Sequence, residues 1–203
     1  IEPKKASDLP LFIRRLQRVE KFRGRVIANP EEMVCNPHNF AAMMVQYGQA
    51  DGLIAGNNSM PASIFRSVSQ FIKPIEEVSS LFSVAVMHAP QLNHVGSEGL
   101  LFLADCGMNP EPTVDQLASF GIETGKLATH FIESAPKVAY LSHSTEGSMQ
   151  TPSSQRMAAA AALAEARVKK SSLAMKIVGE VQADVALDPK AAEVKIYKQD
   201  AAT

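Results

Sequence analysis

The sequence predicts an α/β protein, and three observations carry that expectation. Short apolar runs of strand length recur at 53–55, 80–87, 100–105, 138–141 and 175–178. They alternate with longer amphipathic or alanine-rich stretches of helical period, and the junctions are marked by Gly, Asn, Ser and Pro. Alternation of this kind is what a layer of strands covered by helices requires.

The chain has 203 residues, enough for one medium domain or two small ones with a sizeable core, and the best boundary lies near Pro74. Twenty basic residues against 21 acidic ones argue against a nucleic-acid surface. Cys35 and Cys106 lack metal-type spacing, so reduced structural thiols are expected. The five histidines form no i, i+4 pair, and no metal is expected. No apolar run reaches membrane-spanning length and the amino end lacks the apolar core of a secretory signal, so the expectation is a cytoplasmic protein with no membrane partner. A first residue other than Met, and a last residue soon after a predicted element, lead us to expect a piece of a longer polypeptide.

Taken in order, residues 11–23 gather Leu11, Phe12, Leu16 and Val19 on one side of a helix. Asn36 before Pro37 reads as an N-cap and first-turn pair, with Gly48 closing a helix over 37–47. Residues 50–73 read as strand, polar turn and helix. Leu53, Ile54 and Ala55 form a short buried strand, and Gly56-Asn57-Asn58-Ser59 form the turn. Pro61 sits in the first turn of a helix that Ser59 and Asn58 could cap. On that helix Ile64, Phe65, Val68, Phe71 and Ile72 share one face, and Arg66 falls opposite, beside Ser63 and Gln70.

After the break at Lys73-Pro74, the runs 80–87 and 100–105 on either side of a Gly96–Gly99 turn suit a hairpin. Asp105, at a strand end, either faces a ligand or caps the turn through Gly107. Thr113 with Gln116 has capping-box spacing before a helix to about Phe131. The strand 138–141 opens into a long polar loop before an alanine-rich helix at 155–169. A strand at 175–178, a polar exit at 179–182 and a helix at 183–194 complete the pattern.

A helix N-terminus facing a polar turn suits a phosphate or carboxylate, and Arg66 either assists there or is a solvated arginine on a polar face. His143, Ser144 and Asp105 fall at strand ends but do not make a nucleophilic triad. Adjacent residues on an extended segment point to opposite sides, and there is no G-x-S-x-G elbow. The 144–148 loop lacks the lysine and spacing of a P-loop, yet could bind through hydroxyls and backbone amides.

Four motifs occur in one order: A-D-G-L-I-A-G with an arginine ten residues after its second glycine, L-A-D-C-G-M-N-P-E-P-T-V-D-Q-L-A, V-A-Y-L-S-H-S-T-E-G-S and G-E-V-Q-A-D-V-A-L. Together they resemble the phosphate acetyl/butyryltransferase family. The resemblance implies a three-layer α/β/α protein of two domains with a cleft between them, 1–75 belonging to the first and 76–203 to the second. It implies transfer of an acetyl or short acyl group between coenzyme A and inorganic phosphate, with no bound cofactor and a homodimer as the assembly. Arg66 matches the family's arginine for phosphate binding or acyl transfer, with Asn58, Ser59 and Ser63 as nearby donors. Ser144, Thr145, Gly147 and Ser148 match its Ser-Thr-x-Gly-Ser loop, as substrate-binding or structural residues at the cleft. Glu180, Gln182 and Asp184 match a further motif.

The chain departs from the family pattern at Glu20, where relatives often carry arginine, at Glu146, where they carry lysine, and in the turn after Gly56. The family's Asn-Asp-Leu-Ser-Arg-Gly segment, with its expected general base, would lie beyond Thr203. An alternative from a different class is an acetyl-CoA-sensing domain of the kind appended to bacterial malic enzymes. The 141–144 and 152–157 patterns lie nearer to those domains, whereas Arg66 favours catalysis.

Overall fold

The structure, a computed structural model, describes residues 1–76, 78 and 80–195. Contacts between Cα atoms divide the chain into two compact units, Ile1–Ile75 and Glu76–Thr203.

Unit 1 is helical among its described residues: α1 (Leu9–Phe22), α2 (Pro30–Cys35), α3 (Pro37–Gln46) and α4 (Pro61–Phe71). Leu9, Phe12 and Leu16 recur every three or four residues along α1 and meet Val34, Phe40 and Met43 in a single core. The Phe12 and Phe40 rings are tilted with centroids 5.0 Å apart, and the Arg15 guanidinium lies 3.9 Å from the centroid of Tyr47. α3 starts where expected, because Asn36 Oδ1 accepts from the N–H groups of His38 (3.0 Å) and Asn39 (3.3 Å). It ends in a Schellman motif, Gly48 N–H donating to Val45 O and Gln49 N–H to Met44 O.

The expected strand at 53–55 is not formed. The segment has no ladder partner, and Ile54 is fully exposed. An extended segment becomes a strand when a neighbour takes its backbone groups, and unit 1 offers helices alone. The face of α4 also differs from expectation. Ser67 is its buried residue, donating to Asn39 Oδ1 (2.6 Å), whereas Phe65 is 39% exposed. A serine points inward because α3 supplies a polar acceptor there, while Phe71 reaches the apolar core.

Unit 2 is α/β: two small sheets with helices packed on them. β1 (Val84–His88) and β2 (Leu100–Ala104) pair antiparallel from Val84↔Ala104 to His88↔Leu100, the expected hairpin. α5 (Val114–Ala128) begins with the Thr113/Gln116 capping box and ends three residues before Phe131. β3 (Lys137–Leu141), α6 (Pro152–Ser171) and β4 (Lys176–Val181) form a βαβ unit with β3 and β4 parallel. α6 starts earlier than expected, since Thr151 caps it through Ser154 N–H and Pro152 occupies the first turn. The core joins Ala118 and Ile122 of α5 to Tyr140 of β3 and Ala160, Ala161, Ala164 and Val168 of α6.

Two further boundaries differ. β4 runs through Gly179, Glu180 and Val181, which the sequence pattern assigns to a polar exit; the loop after β3 satisfies Glu180 and so permits it in the strand. The expected helix at 183–194 is two, α7 (Ala183–Leu187) and α8 (Pro189–Val194). Pro189 has no N–H to continue α7, and Asp188 caps α8 by accepting from Lys190 N–H (2.9 Å).

Asp105 settles as a turn cap. Its carboxylate accepts from Ser83 N–H (2.9 Å), Ser83 Oγ (2.6 Å), Asn109 N–H (2.8 Å) and Asn109 Nδ2 (2.7 Å), tying the end of β2 to the approach to β1. Desolvation pushes the carboxyl upward, but the hydrogen bonds from Ser83 and Asn109 outweigh it and hold it well below the usual carboxylate range. The folded form therefore binds a proton less readily than the unfolded one. The stabilisation is complete above the ordinary value near 3.8 and is lost as pH falls toward the folded-state value. Asp105→Ala is expected to cost about 2–4 kcal/mol in urea unfolding at neutral pH, with the difference from wild type narrowing in acid.

Candidate active site

The turn before α4 carries Asn58 and Ser59. No side chain caps α4, so the expected capping roles of Asn58 and Ser59 are not taken up. Ser59 Oγ instead bonds with His38 Nε2 (2.9 Å), fixing the turn to the first turn of α3. Ser63 Oγ donates to Met60 O (2.7 Å). Arg66 is exposed, and among the described residues no hydrogen bond or ion pair engages its guanidinium. Asn58, Ser59, Ser63 and Arg66 thus fall on one turn and the helix that follows it.

At the other end of unit 1, Glu20 is 4% exposed and bonded to Arg23 Nη1 (3.0 Å), while Arg18 is exposed. The ion pair compensates a carboxylate that burial would otherwise disfavour.

In unit 2 the loop after β3 is built around Ser144, which has no exposed surface. Its Oγ accepts from Met149 N–H (3.0 Å) and bonds Ser148 Oγ (3.3 Å). Thr145 N–H donates to Ser148 Oγ (3.1 Å), and Thr145 Oγ1 accepts from Gln182 N–H (3.0 Å). Glu146 (φ 48°) and Gly147 (φ 77°) are the central residues of a type I′ turn closed by Ser148 N–H to Thr145 O (3.0 Å), which explains the glycine. Glu180, 6% exposed on β4, accepts from Gly147 N–H (3.0 Å). The loop's hydroxyls are largely spent on its own shape.

Ser142 and Ser154 complete the network, through Ser144 N–H and Met149 O respectively, although the family's Ser-Thr-x-Gly-Ser loop includes neither. Besides the 152–157 pattern, a sequence signal for Ser154 is its place three residues after Thr151. His143 turns to Thr151 Oγ1 (3.3 Å) while Ser144 bonds elsewhere, in keeping with the absence of a triad. Gln182 and Asp184 are engaged by Lys195 Nζ at 2.9 and 2.7 Å, and the Lys195 hydrogen bond holds the Asp184 carboxyl below its ordinary range. A cleft of about 290 Å³ beside the loop is lined by Glu146, Gly147, Gln150, Gln155 and Glu180 among others. Its two carboxylates make it a poor anion site.

Among the described residues there is no group of three or more His, Cys, Asp or Glu placed to hold a metal ion, and no helix is long and apolar enough to cross a membrane.

The profile of one family, phosphate acetyl/butaryl transferase, matches residues 1–202. The chain belongs to the phosphate acetyl/butaryl transferase family. A phosphate acetyltransferase of Clostridium acetobutylicum is 33% identical over 195 residues, an alignment covering 96% of this chain and 57% of that protein. The EutD phosphotransacetylase structure from Staphylococcus aureus superposes with a TM-score of 0.78 at 29% identity, covering all of this chain and 58% of its own. A phosphotransacetylase structure from Streptococcus pyogenes gives 0.81 at 28% identity, covering 98% of this chain and 57% of its own. The 203 residues therefore span just over half the length of these family members.

Proposed function

We propose that this chain carries the phosphate-binding part of an acyltransferase that moves an acetyl or other short acyl group between coenzyme A and inorganic phosphate. The observation that carries the reading is Arg66, an exposed arginine without a partner among the described residues, on the helix after a polar turn in a chain of this family. A guanidinium offers paired N–H donors that match two phosphate oxygens, and the partial positive charge at the start of α4 acts in the same sense. Asn58, Ser59 and Ser63 lie on the same turn and helix and supply further donors.

In the acyl-phosphate-forming direction, a phosphate oxygen attacks the thioester carbonyl. The C–S bond breaks as the C–O bond forms, and the departing sulfur takes a proton to become the coenzyme A thiol. Arg66 orients the nucleophile and stabilises the charge that develops on the carbonyl oxygen. Coenzyme A is a substrate here rather than a bound cofactor. Ser144 and Thr145 act by shaping the 144–148 loop, and the backbone of Gly147 and Ser148 faces the coenzyme. The general base is not assigned within the 203 residues. A homodimer is the proposed assembly.

The test is thiol release by the full-length polypeptide supplied with acetyl-, propionyl- or butyryl-CoA and inorganic phosphate. The expected rate saturates with phosphate and ranks the acyl groups. Tight acyl-CoA binding without phosphate-dependent turnover would replace catalysis with sensing.

A further inference from the structure

A guanidinium that binds phosphate has to be aimed, and the apolar core of unit 1 does not aim Arg66. Phe71, the last residue of α4, is what that helix contributes to the core, about 7.5 Å along the axis from Arg66 at roughly 1.5 Å per residue. Apolar contact is also non-directional, so by itself it fixes neither the rotation nor the register of a helix. Hydrogen bonds are directional, and the part of α4 that carries Arg66 is held by them.

Two neighbouring residues in the first turn of α3 supply these bonds. The backbone N–H groups of His38 and Asn39 are both held by the Asn36 cap, and both side chains reach the segment that carries the phosphate donors. His38 Nε2 meets Ser59 Oγ at 2.9 Å, on the turn. Asn39 Oδ1 accepts from Ser67 Oγ at 2.6 Å, on the helix. Ser67 is 5% exposed and directly follows Arg66. Asn39 is itself anchored, because its Nδ2 donates to Met33 O of α2 (2.8 Å) and so settles which way the amide faces. The Ser67 hydroxyl has a second acceptor, Ser63 O on its own helix, at 3.2 Å. Without Asn39 it would turn back to that carbonyl, and the tie between the helices would be gone.

We propose that His38 and Asn39 are positioning residues for phosphate. Asn39, through Ser67, sets the rotation of α4 that aims Arg66, and His38 sets both the place and the hydrogen-bonding direction of Ser59. The proposal rests on the phosphate-binding reading of Arg66 and deepens it, since none of the four ordered motifs includes His38, Asn39 or Ser67. Direction matters at Ser59 because a hydroxyl has a single proton. Given to an imidazole nitrogen, that proton is lost to the substrate, and phosphate meets lone pairs. When Nε2–H donates to Ser59 Oγ instead, the hydroxyl proton is left for a phosphate oxygen. Among the described residues no hydrogen bond engages His38 Nδ1, so no partner there demands the opposite tautomer.

The test is steady-state thiol release by the full-length polypeptide, with inorganic phosphate and acetyl-CoA varied separately, in His38→Ala, His38→Gln and Ser67→Ala, the last also combined with Arg66→Ala. Ser67→Ala is a mild way to break the Asn39 bond, because alanine suits a helix interior. Ser67→Ala and His38→Ala are each expected to lower kcat/KM for phosphate about tenfold, as a displaced binding group does, while KM for acetyl-CoA stays within about twofold. His38→Gln should recover most of the loss, since its amide presents an N–H donor in place of Nε2–H. With Arg66 already replaced, Ser67→Ala should cost less than about twofold more, because it acts through that residue. Near-wild-type kcat/KM for phosphate in Ser67→Ala or His38→Ala, with Arg66→Ala impaired, would overturn the role given to Asn39 or His38 respectively and leave the acyl-transfer reading standing. A matching rise in KM for acetyl-CoA, or full additivity of Ser67→Ala with Arg66→Ala, would also overturn the proposal, since both mark a merely structural role. Near-wild-type turnover in Arg66→Ala would overturn the underlying reading and this proposal with it.

Discussion

Arg66→Ala is expected to reduce kcat/KM for phosphate-dependent thiol release by at least about 30-fold in the full-length polypeptide, equivalent to ~2 kcal/mol of transition-state stabilisation. Folding should be untouched, because the side chain is exposed and bonds to none of the described residues. The distribution of the loss is informative. A rise in KM for phosphate at constant kcat means that Arg66 contributes ground-state binding. An equal fall in kcat and kcat/KM means that it acts on the charge developing at the carbonyl. Arg66→Lys should recover part of the activity at most, since an ammonium cannot reproduce the paired geometry of a guanidinium. Near-wild-type turnover in Arg66→Ala would remove the residue from the mechanism.

Gly121→Ala is expected to cost about 2–4 kcal/mol in denaturant unfolding. A Cβ at this position would stand 2.2 Å from Tyr140 Oη and 2.7 Å from Cζ of the same ring. The ring cannot simply move aside. Tyr140 is 4% exposed, and its hydroxyl donates to Ala118 O (3.0 Å) and lies 3.2 Å from Leu117 O, both on α5 itself. Burial pushes the phenol pKa above its ordinary value, so it remains a donor throughout the range in which the protein is handled. Tyr140→Leu should cost stability by itself, yet in combination with Gly121→Ala the two penalties should fall well short of their sum. Strict additivity would show that the clash is relieved elsewhere.

Local chemistry made much of unit 2 legible. The capping box at Thr113 is read from residue types three positions apart and forms in the structure as read, whereas the one at Thr151 falls in a stretch read as loop. The strands at 84–88, 100–104 and 137–141 follow from short apolar runs, because burial on a sheet selects for them. Asp105 was legible as a polar residue at a strand end, but its choice between ligand and cap depended on Ser83, 22 residues away in sequence. Local pattern carries no information about such a partner.

The candidate site divides in the same way. Arg66 and the turn before it are marked by a contiguous motif, and the belonging of residues 1–202 to one family gives that motif its weight. The hydrogen-bonded network of Ser142, Ser144, Ser148, Ser154 and Glu180 joins a loop, a helix start and a strand, so small polar residues that look solvent-facing in the sequence bond to one another.

The sequence by itself determined where α3 and α5 begin, where most strands lie and which family the chain belongs to, since caps, hydrophobic period and ordered motifs are local properties of the chain. Tertiary structure alone decided that 53–55 has no ladder partner, that Ser67 rather than Phe65 turns inward on α4, and that Glu180 belongs inside β4. Each of these depends on which backbone or side-chain group a distant segment brings within hydrogen-bonding distance, and that is fixed only when the segments pack.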